Sequence, residues 1–172
     1  MTRRILLPLS AFLLLSACAD PGLTAQGLVT VTAPGPTVRT FELPSQTRLD
    51  GSGPGRFTGT CRLLRTMDDA GNEQWGATVD IHSGGTNPGD VSPLTRFTVM
   101  QNSGAAPEAA RVEIELGGMA YAPIDGECTV QIPYALGDGV VGLVGTCGVV
   151  SATGDTADVE LELDLAGCSV ER

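Results

Sequence analysis

The segment DVELELDL, residues 158–165, decides the fold class of this chain. Its apolar residues, Val159, Leu161, Leu163 and Leu165, alternate strictly with acidic ones. Successive side chains of a β-strand point to opposite faces of the sheet. The segment therefore predicts a strand with one buried face and one solvated face.

The same alternation recurs between turn-forming clusters from residue 56 to the C-terminus. It is found in RFTGTCRLL (residues 56–64), WGATVDIHS (75–83), LTRFTVM (94–100), RVEIEL (111–116), CTVQIPY (128–134) and VVGLVGTCGVV (140–150). Only SGAAPEAARV (103–112) offers a short turn of helix. We predict an all-β fold, either an antiparallel β-sandwich or a partly open barrel, of about seven to nine short strands, with little or no helix in the mature chain.

The first 17 residues combine a basic start with a short apolar run. Arg3 and Arg4 precede the apolar residues 5–17, which as a helix would reach only about 20 Å against a hydrocarbon core of about 30 Å. The run is too short for a stable span. The pattern is typical of an export signal, which is removed from the mature protein.

The end of this run, Leu15-Ser16-Ala17-Cys18, resembles the lipobox of bacterial lipoproteins. The resemblance implies cleavage between Ala17 and Cys18 and attachment of acyl chains at Cys18, and several such chains anchor a domain firmly. Ala19 follows, and not the Asp that retains lipoproteins in the inner membrane of some bacteria. The resemblance therefore implies an outer-membrane anchor, with the domain in the periplasm or at the cell surface. An ordinary signal peptide with a chance cysteine is the alternative.

Three regions follow along the chain. Residues 1–17 are the signal peptide. Residues 18–55, rich in Pro, Gly and Thr, are predicted to be the lipidated N-terminus and a tether, with one or two strands at LVTVTA (28–33) and TVRTFEL (37–43). Residues 56–172 are predicted to be a disulfide-stabilised β domain. This domain resembles other small exported lipoproteins built from β-strands and paired cysteines, a likeness that transfers no site residues.

The charge of the mature chain excludes several classes of partner and mechanism. Without Arg3 and Arg4, eight basic residues face 20 carboxylates, a formal net charge of −12. Nucleic acid and anionic lipid headgroups are poor partners for such a surface. The chain contains no lysine, which excludes Schiff-base chemistry, Ser–Lys nucleophiles and the phosphate-binding loop that ends in GK[ST].

Four cysteines besides Cys18 predict two disulfides, because export places them in an oxidising compartment. A zinc site is the alternative, but no two cysteines have C-x-x-C spacing and His82 is the only histidine. We expect no metal and no cofactor. The four disulfide candidates are Cys61, Cys128, Cys147 and Cys168.

The hairpin around ALGDGV (135–140) bears on the pairing. A two-residue turn at Gly137-Asp138 would place Cys128 opposite Cys147, whereas a turn at Asp138-Gly139 would place Cys128 opposite Val149. In the first case Cys61 pairs with Cys168 by elimination. Cys168 has the wrong parity to face inward with the leucines of the last strand, and a bulge at Gly167 would correct this.

His82 is the first residue to consider for catalysis. It shares a strand face with Asp80, so a hydrogen bond between the two is expected. The chain contains no G-x-S-x-G or H-E-x-x-H motif and no D-[ST]-G motif, and we interpret His82 as a surface residue beside an acid. We therefore expect no catalytic residue; a small hydrolase using His82 is the alternative.

Two acidic strand faces suggest either a cation site or a docking surface. Glu113 and Glu115 in one strand, with Glu160, Glu162 and Asp164 in another, could bind a cation if the strands were neighbours. We favour separate strands with a solvated outer face. Trp75 and Tyr134 are both predicted to point inward, which weakens a sugar-binding interpretation.

These observations lead to one functional prediction. We expect a lipid-anchored protein of the cell envelope with a structural or binding role and no enzymatic activity. Its contacts would be the membrane, through the lipid, and a basic or cationic envelope partner on the acidic face. An inhibitor or accessory subunit acting through the loop SGGTNPGD (83–90) is a further alternative.

Overall fold

The computed structural model describes residues 22–33, 38–84 and 94–172. Helical structure in these residues is limited to two 3₁₀ turns, Pro54–Arg56 and Pro107–Ala109, and none of it is long and apolar enough to cross a membrane. The strands are β1 (Thr24–Thr32), β2 (Val38–Arg48), β3 (Phe57–Met67), β4 (Glu73–Ser83), β5 (Leu94–Gln101), β6 (Arg111–Leu116), β7 (Met119–Leu136), β8 (Val140–Ser151), β9 (Thr156–Ala166) and β10 (Ser169–Glu171).

All ten strands belong to one sheet, in the order β10-β3-β4-β5-β6-β7-β8-β9-β1-β2. Every neighbouring pair is antiparallel except β10 and β3, which run parallel. The sheet curls so strongly that β2 contacts β3 and β5. The all-β prediction is confirmed. Of the two expected arrangements the half-open barrel is the one observed, and it has ten strands rather than seven to nine.

The sheet begins at Thr24, ahead of the boundary predicted at Arg56. Residues 28–32 and 38–43, predicted as strands within the tether region, belong to β1 and β2, and β1 lies between β2 and β9. The apolar residues of both strands explain this position, because Val29, Val31, Phe41 and Leu43 are buried in the core shared by the whole sheet. Removing this apolar surface from water outweighs the Pro and Gly content around it.

The period-two pattern of the sequence corresponds to the two faces of the sheet, with apolar residues on the inner face and polar residues on the outer face. On β9 all four predicted inward residues are buried, and the acidic residues between them lie on the outer face. On β4, Ala77, Val79 and Ile81 are buried as predicted, while Trp75 is partly buried and packs against the core. The outer faces are therefore available for function.

The β7–β8 hairpin differs from both turns considered from the sequence. Its turn has three residues, 137–139, closed by a hydrogen bond from the Gly139 N–H to the Leu136 carbonyl at 3.0 Å. Gly139 supplies the positive φ, 87°, that this turn requires. If the register set by this turn continued unchanged along the hairpin, Cys128 would lie opposite Gly148. A bulge between Gln131 and Tyr134 shifts the register by one residue and places Cys128 opposite Cys147.

Pro133 explains the position of this bulge, because proline has no N–H to donate to the ladder and is found in sheets at edges and bulges. The bulge also reverses the side-chain parity of the residues that follow it. Tyr134 consequently lies on the outer face, 42% exposed, and the prediction that it points inward is wrong.

The curled sheet is closed across its open seam by the chain after β9. Gly167 has φ 83°, which lets the chain leave β9 and turn Cys168 into the core, where Cys168 is bonded to Cys61 of β3. At the seam the rings of Phe41 and Phe57 pack edge to face, with centroids 4.9 Å apart. Beside these rings, the backbones of Asp50 and Thr58 form an isolated antiparallel β-bridge. The four cysteines form two disulfides, as predicted, and the pairing Cys61–Cys168 and Cys128–Cys147 is the first of the alternatives that the sequence left open.

Candidate functional site

The outer face of β4 and β5 carries a polar network centred on Asp80. Cross-strand pairing sets Asp80 opposite Thr98 and His82 opposite Arg96. Arg96 donates from Nε to Asp80 Oδ1 at 3.0 Å and from Nη2 to Oδ2 at 3.2 Å, and Thr98 donates from Oγ1 to Oδ1 at 2.8 Å. The predicted contact with His82 is present, with Nε2 3.1 Å from Asp80 Oδ2.

These contacts set the charge state of the network. Partial burial by itself would raise the pKa of Asp80, but the hydrogen bonds from Arg96, Thr98 and His82 outweigh it and the pKa lies below its ordinary value. Hydrogen bonds and the charge of the same carboxylate raise the pKa of Arg96. Asp80 and Arg96 are thus a fixed ion pair at neutral pH, with the bidentate geometry that gives such pairs their strength.

The hydrogen bonds of the network converge on the carboxylate of Asp80 and hold that side chain in place. In a Ser–His–Asp relay the carboxylate orients one ring nitrogen and leaves Nε2 for the nucleophile. Here Nε2 is the atom that faces Asp80, and the cross-strand neighbours of His82 are Thr58 and Arg96. The sequence interpretation had not included Arg96 and Thr98, whose contribution depends on which strands are paired.

A second polar surface follows β9, and we call it the acidic strip. It consists of the outward residues of β9, namely Asp158, Glu160, Glu162 and Asp164. The neighbours on β1 are uncharged: Thr32, Thr30, Leu28 and Gln26 stand opposite them in turn. The neighbours on β8 are Gly148, Thr146, Val144 and Gly142. The strip is therefore a row of anionic side chains flanked on both sides by uncharged ones.

Small residues on β8 open a groove beside the strip. A groove of about 470 Å³ is lined by the hydroxyl-bearing residues Thr30, Thr32 and Thr146 together with Glu127, Asp158 and Glu160, and an adjoining groove of about 420 Å³ reaches Leu28 and Val144. Gly148 leaves the space in which the Glu127 carboxylate lies. Glu127 had not been assigned to this surface from the sequence, because it belongs to β7.

The strip ends at Tyr134. The Tyr134 ring lies over Gly142, where a Cβ atom would come within 2.5 Å of it, and its hydroxyl donates to Asp164 Oδ1. Gln26 Nε2 donates to the other oxygen at 3.1 Å. The hydrogen bond to Asp164 raises the pKa of Tyr134 to about 12.

The two acidic faces considered from the sequence lie on separate strands. β6, with Glu113 and Glu115, is separated from β9 by β7 and β8. Glu115 stands instead opposite Arg96 of β5. In the part of the chain that the structure describes, no three His, Cys, Asp or Glu side chains are grouped as a metal site, and the interpretation as two solvated outer faces is retained.

Two predicted features lie wholly or mostly outside the described residues. The cleavage site at Ala17 and Cys18 precedes Gly22, where the description begins. Most of the loop SGGTNPGD also falls outside it. The chain matches no protein-family model, no curated protein and no solved structure.

Proposed function

We propose that this protein is a lipid-anchored component of the cell envelope that binds a basic or cationic partner along the acidic strip and catalyses no reaction. The lipid anchor rests on the lipobox resemblance at Cys18. The binding role rests on the distribution of charge around the sheet. The acylated Cys18 and the acidic strip would both be parts of the mature chain, residues 18–172.

One observation carries the proposal. Four adjacent strands, β7, β8, β9 and β1, contain six carboxylates and no Arg, Lys or His. All but Asp164 are exposed. Such an uncompensated anionic surface attracts cationic groups over about a Debye length and speeds their association. The six carboxylates are those of Asp125, Glu127, Asp158, Glu160, Glu162 and Asp164.

The strands at the other end of the strand order, β10, β3, β4 and β5, carry both acidic and basic residues. Acids and arginines there neutralise each other in ion pairs, Arg62 with Glu171, Arg65 with Glu73 and Arg96 with Asp80. The carboxylates on β9 follow one another two residues apart, about 7 Å along the strand, and no basic residue on the neighbouring strands β8 and β1 neutralises them. This concentration of negative charge supports a binding role for cationic groups.

The Asp80–His82 pair supports a structural role better than a hydrolytic one. Its carboxylate is occupied by Arg96 and Thr98, and this ties β4 to β5. Replacement of His82 by Ala tests this assignment: an activity that disappears in His82→Ala but persists in Glu113→Gln would establish the hydrolase alternative in place of a binding protein.

The binding proposal is tested with an oligo-arginine peptide and the mature protein in detergent. Asp158→Asn/Glu160→Gln/Glu162→Gln removes three strip charges, and the matched control Glu108→Gln/Glu113→Gln/Glu115→Gln removes three elsewhere. At about 0.5 kcal/mol per exposed pair, the strip variant should bind about tenfold more weakly than the control at low salt. Equal losses in both variants would show that only net charge matters and would overturn the proposal.

The anchor is tested by the intact mass of protein extracted from membranes, before and after reduction. The proposal expects a chain that begins at Cys18 and carries acyl groups, with a mass that increases by about four hydrogens when two disulfides are reduced. An unlipidated mass would overturn the anchor and leave the acidic strip as a separate question.

A further inference from the structure

The N-terminal end of the described chain is held firmly against one end of the sheet. The Gly22 carbonyl lies so close to Gly167 that a Cβ atom there would be 2.6 Å from the oxygen. The Leu23 carbonyl accepts a hydrogen bond from the Leu49 N–H at 3.0 Å. Thr24 is already paired with Ala166 and Arg48. The chain therefore has no free tether after Gly22.

This places a strict limit on the distance between the domain and any group attached at Cys18. Gly22 is four residue positions after Cys18, and a fully extended chain covers at most about 3.6 Å per position, or about 14 Å. A domain anchored by a lipid on Cys18 must then lie with its Gly22 end against the bilayer surface. The sequence prediction placed a tether within residues 18–55, with one or two strands in it, and set no limit on this distance.

The β7–β8 hairpin tip belongs to the same end of the sheet. The Cys168 N–H donates to the Gly139 carbonyl at 2.9 Å, and Cys168 follows Gly167 directly. The tip presents two large side chains to solvent, Leu136, which is 50% exposed, and Tyr134, which is 42% exposed. Both are on the outer face at the end of β7, next to the turn.

We infer that this end of the sheet is the membrane-facing end and that Tyr134 and Leu136 contact the headgroup region of the bilayer that carries the anchor. The inference rests on the proposed lipidation of Cys18. Tyrosine favours this region because its ring is apolar and its hydroxyl is polar. Contact with lipid would also remove the exposed apolar surface of Leu136 from water, which lowers the free energy of the bound state.

The charges at this end identify the type of lipid contact. Among the described residues at this end, the exposed Asp50 lies near Arg48, and the β7–β8 turn carries the exposed Asp138, so positive charge is not in excess there. Contact therefore depends on the anchor and the apolar tip, and zwitterionic lipid should serve as well as anionic lipid. The acidic strip extends away from the bilayer, since Asp158 lies six residues, or about 20 Å, along β9 from Asp164.

Tryptophan fluorescence in vesicles of brominated phosphatidylcholine tests the inference, because bromine quenches only nearby indoles. Trp75 is the single tryptophan of the chain, so Trp75→Phe provides a silent background. Leu136→Trp reports on the tip. Met119→Trp is the matched control, since Met119 is also exposed but is the first residue of β7, 17 residues before Leu136 and therefore at the opposite end of the same strand.

The lipidated Leu136→Trp protein should lose most of its emission in brominated vesicles, and the Met119→Trp protein should keep it. Retained emission at position 136, in protein that floats with the vesicles and has the acylated mass, would overturn the inference and leave the anchor intact. Protein that neither floats nor carries acyl chains would overturn the anchor itself. If Leu136→Trp does not give a cooperative melt, Tyr134→Trp provides the same readout.

Discussion

Cys61 of β3 is bonded to Cys168, which lies two residues beyond the end of β9, and their Cα atoms are 4.7 Å apart. The bond connects the seam of the curled sheet, because β9 belongs to one half of the strand order and β3 lies near the opposite edge. The second disulfide, Cys128–Cys147, joins two strands that are already paired along their length. The two bonds should therefore differ in their contribution to stability.

Removal of the seam disulfide should be the more destabilising change. The seam disulfide joins residues 107 positions apart in the chain, and the hairpin disulfide joins residues 19 positions apart. Loop-closure entropy then gives upper values of about 5 and about 3 kcal/mol for their contributions to stability. Urea unfolding of Cys61→Ser/Cys168→Ser and of Cys128→Ser/Cys147→Ser measures both. A larger loss in the hairpin variant would contradict the entropic account of the seam.

Gly145→Ala should destabilise the protein by about 1–3 kcal/mol, the usual cost of overpacking. A Cβ atom at Gly145 would overlap the Thr129 carbonyl oxygen and approach the Val130 Cα to 2.8 Å, and backbone atoms cannot rotate away. Thermal melting measures the loss. Gly137→Ala is the control, because that position has open space around it, and its melting temperature should stay the same or rise slightly.

Asp80→Asn should reduce the free energy of unfolding at pH 7 by about 1 kcal/mol, because it removes a charged acceptor of hydrogen bonds from three side chains, Arg96, Thr98 and His82. The folded state lowers the pKa of Asp80, so the contribution of its carboxylate is present above the ordinary pKa, about 4, and disappears as the pH falls through the folded-state value. Urea curves at pH 7 and pH 3 should show the difference between wild type and variant shrinking in acid. Glu113→Gln, an exposed neighbour on β6, should show a smaller effect at pH 7.

Tyr134 should ionise late in an alkaline titration followed by tyrosinate absorbance. Its pKa of about 12 reflects the hydrogen bond to Asp164, so Asp164→Asn should move the midpoint towards the ordinary value near 10. In Tyr134→Phe the late transition should be absent. A raised pKa stabilises the fold below about pH 10 and this contribution is lost as the pH approaches 12; an unchanged midpoint in Asp164→Asn would refute the assignment.

The fold could be predicted from the sequence where alternation is uninterrupted. On β9 nothing disturbs the period of two, and its residues were assigned to the correct faces. On β7 the pattern was misleading, because Pro133 creates a bulge and all residues after it change face. A bulge of one residue is invisible in composition, and Tyr134 was assigned to the core for this reason.

The surface features depended on information that local sequence does not contain. Whether Glu113 and Glu160 are neighbours is decided by the order of strands, which arises from contacts far apart in the chain. The same is true of Arg96, which meets Asp80 only because β4 and β5 pair in one register. Strands were predicted in both segments that hold β1 and β2, but the Pro and Gly content around them favoured a tether. Burial of a few alternating residues was sufficient to place both strands in the sheet.

The position of β1 has a consequence for the order of events in the life of the chain. Among the described strands β1 is synthesised first, yet one of its two neighbours, β9, is among the last. Pairing cannot be completed before β9 has been synthesised, and pairings this distant in sequence form slowly. For a chain exported as proposed above, a sheet completed this late would keep the polypeptide unfolded during translocation, and the domain would become stable only after the C-terminal strands had crossed.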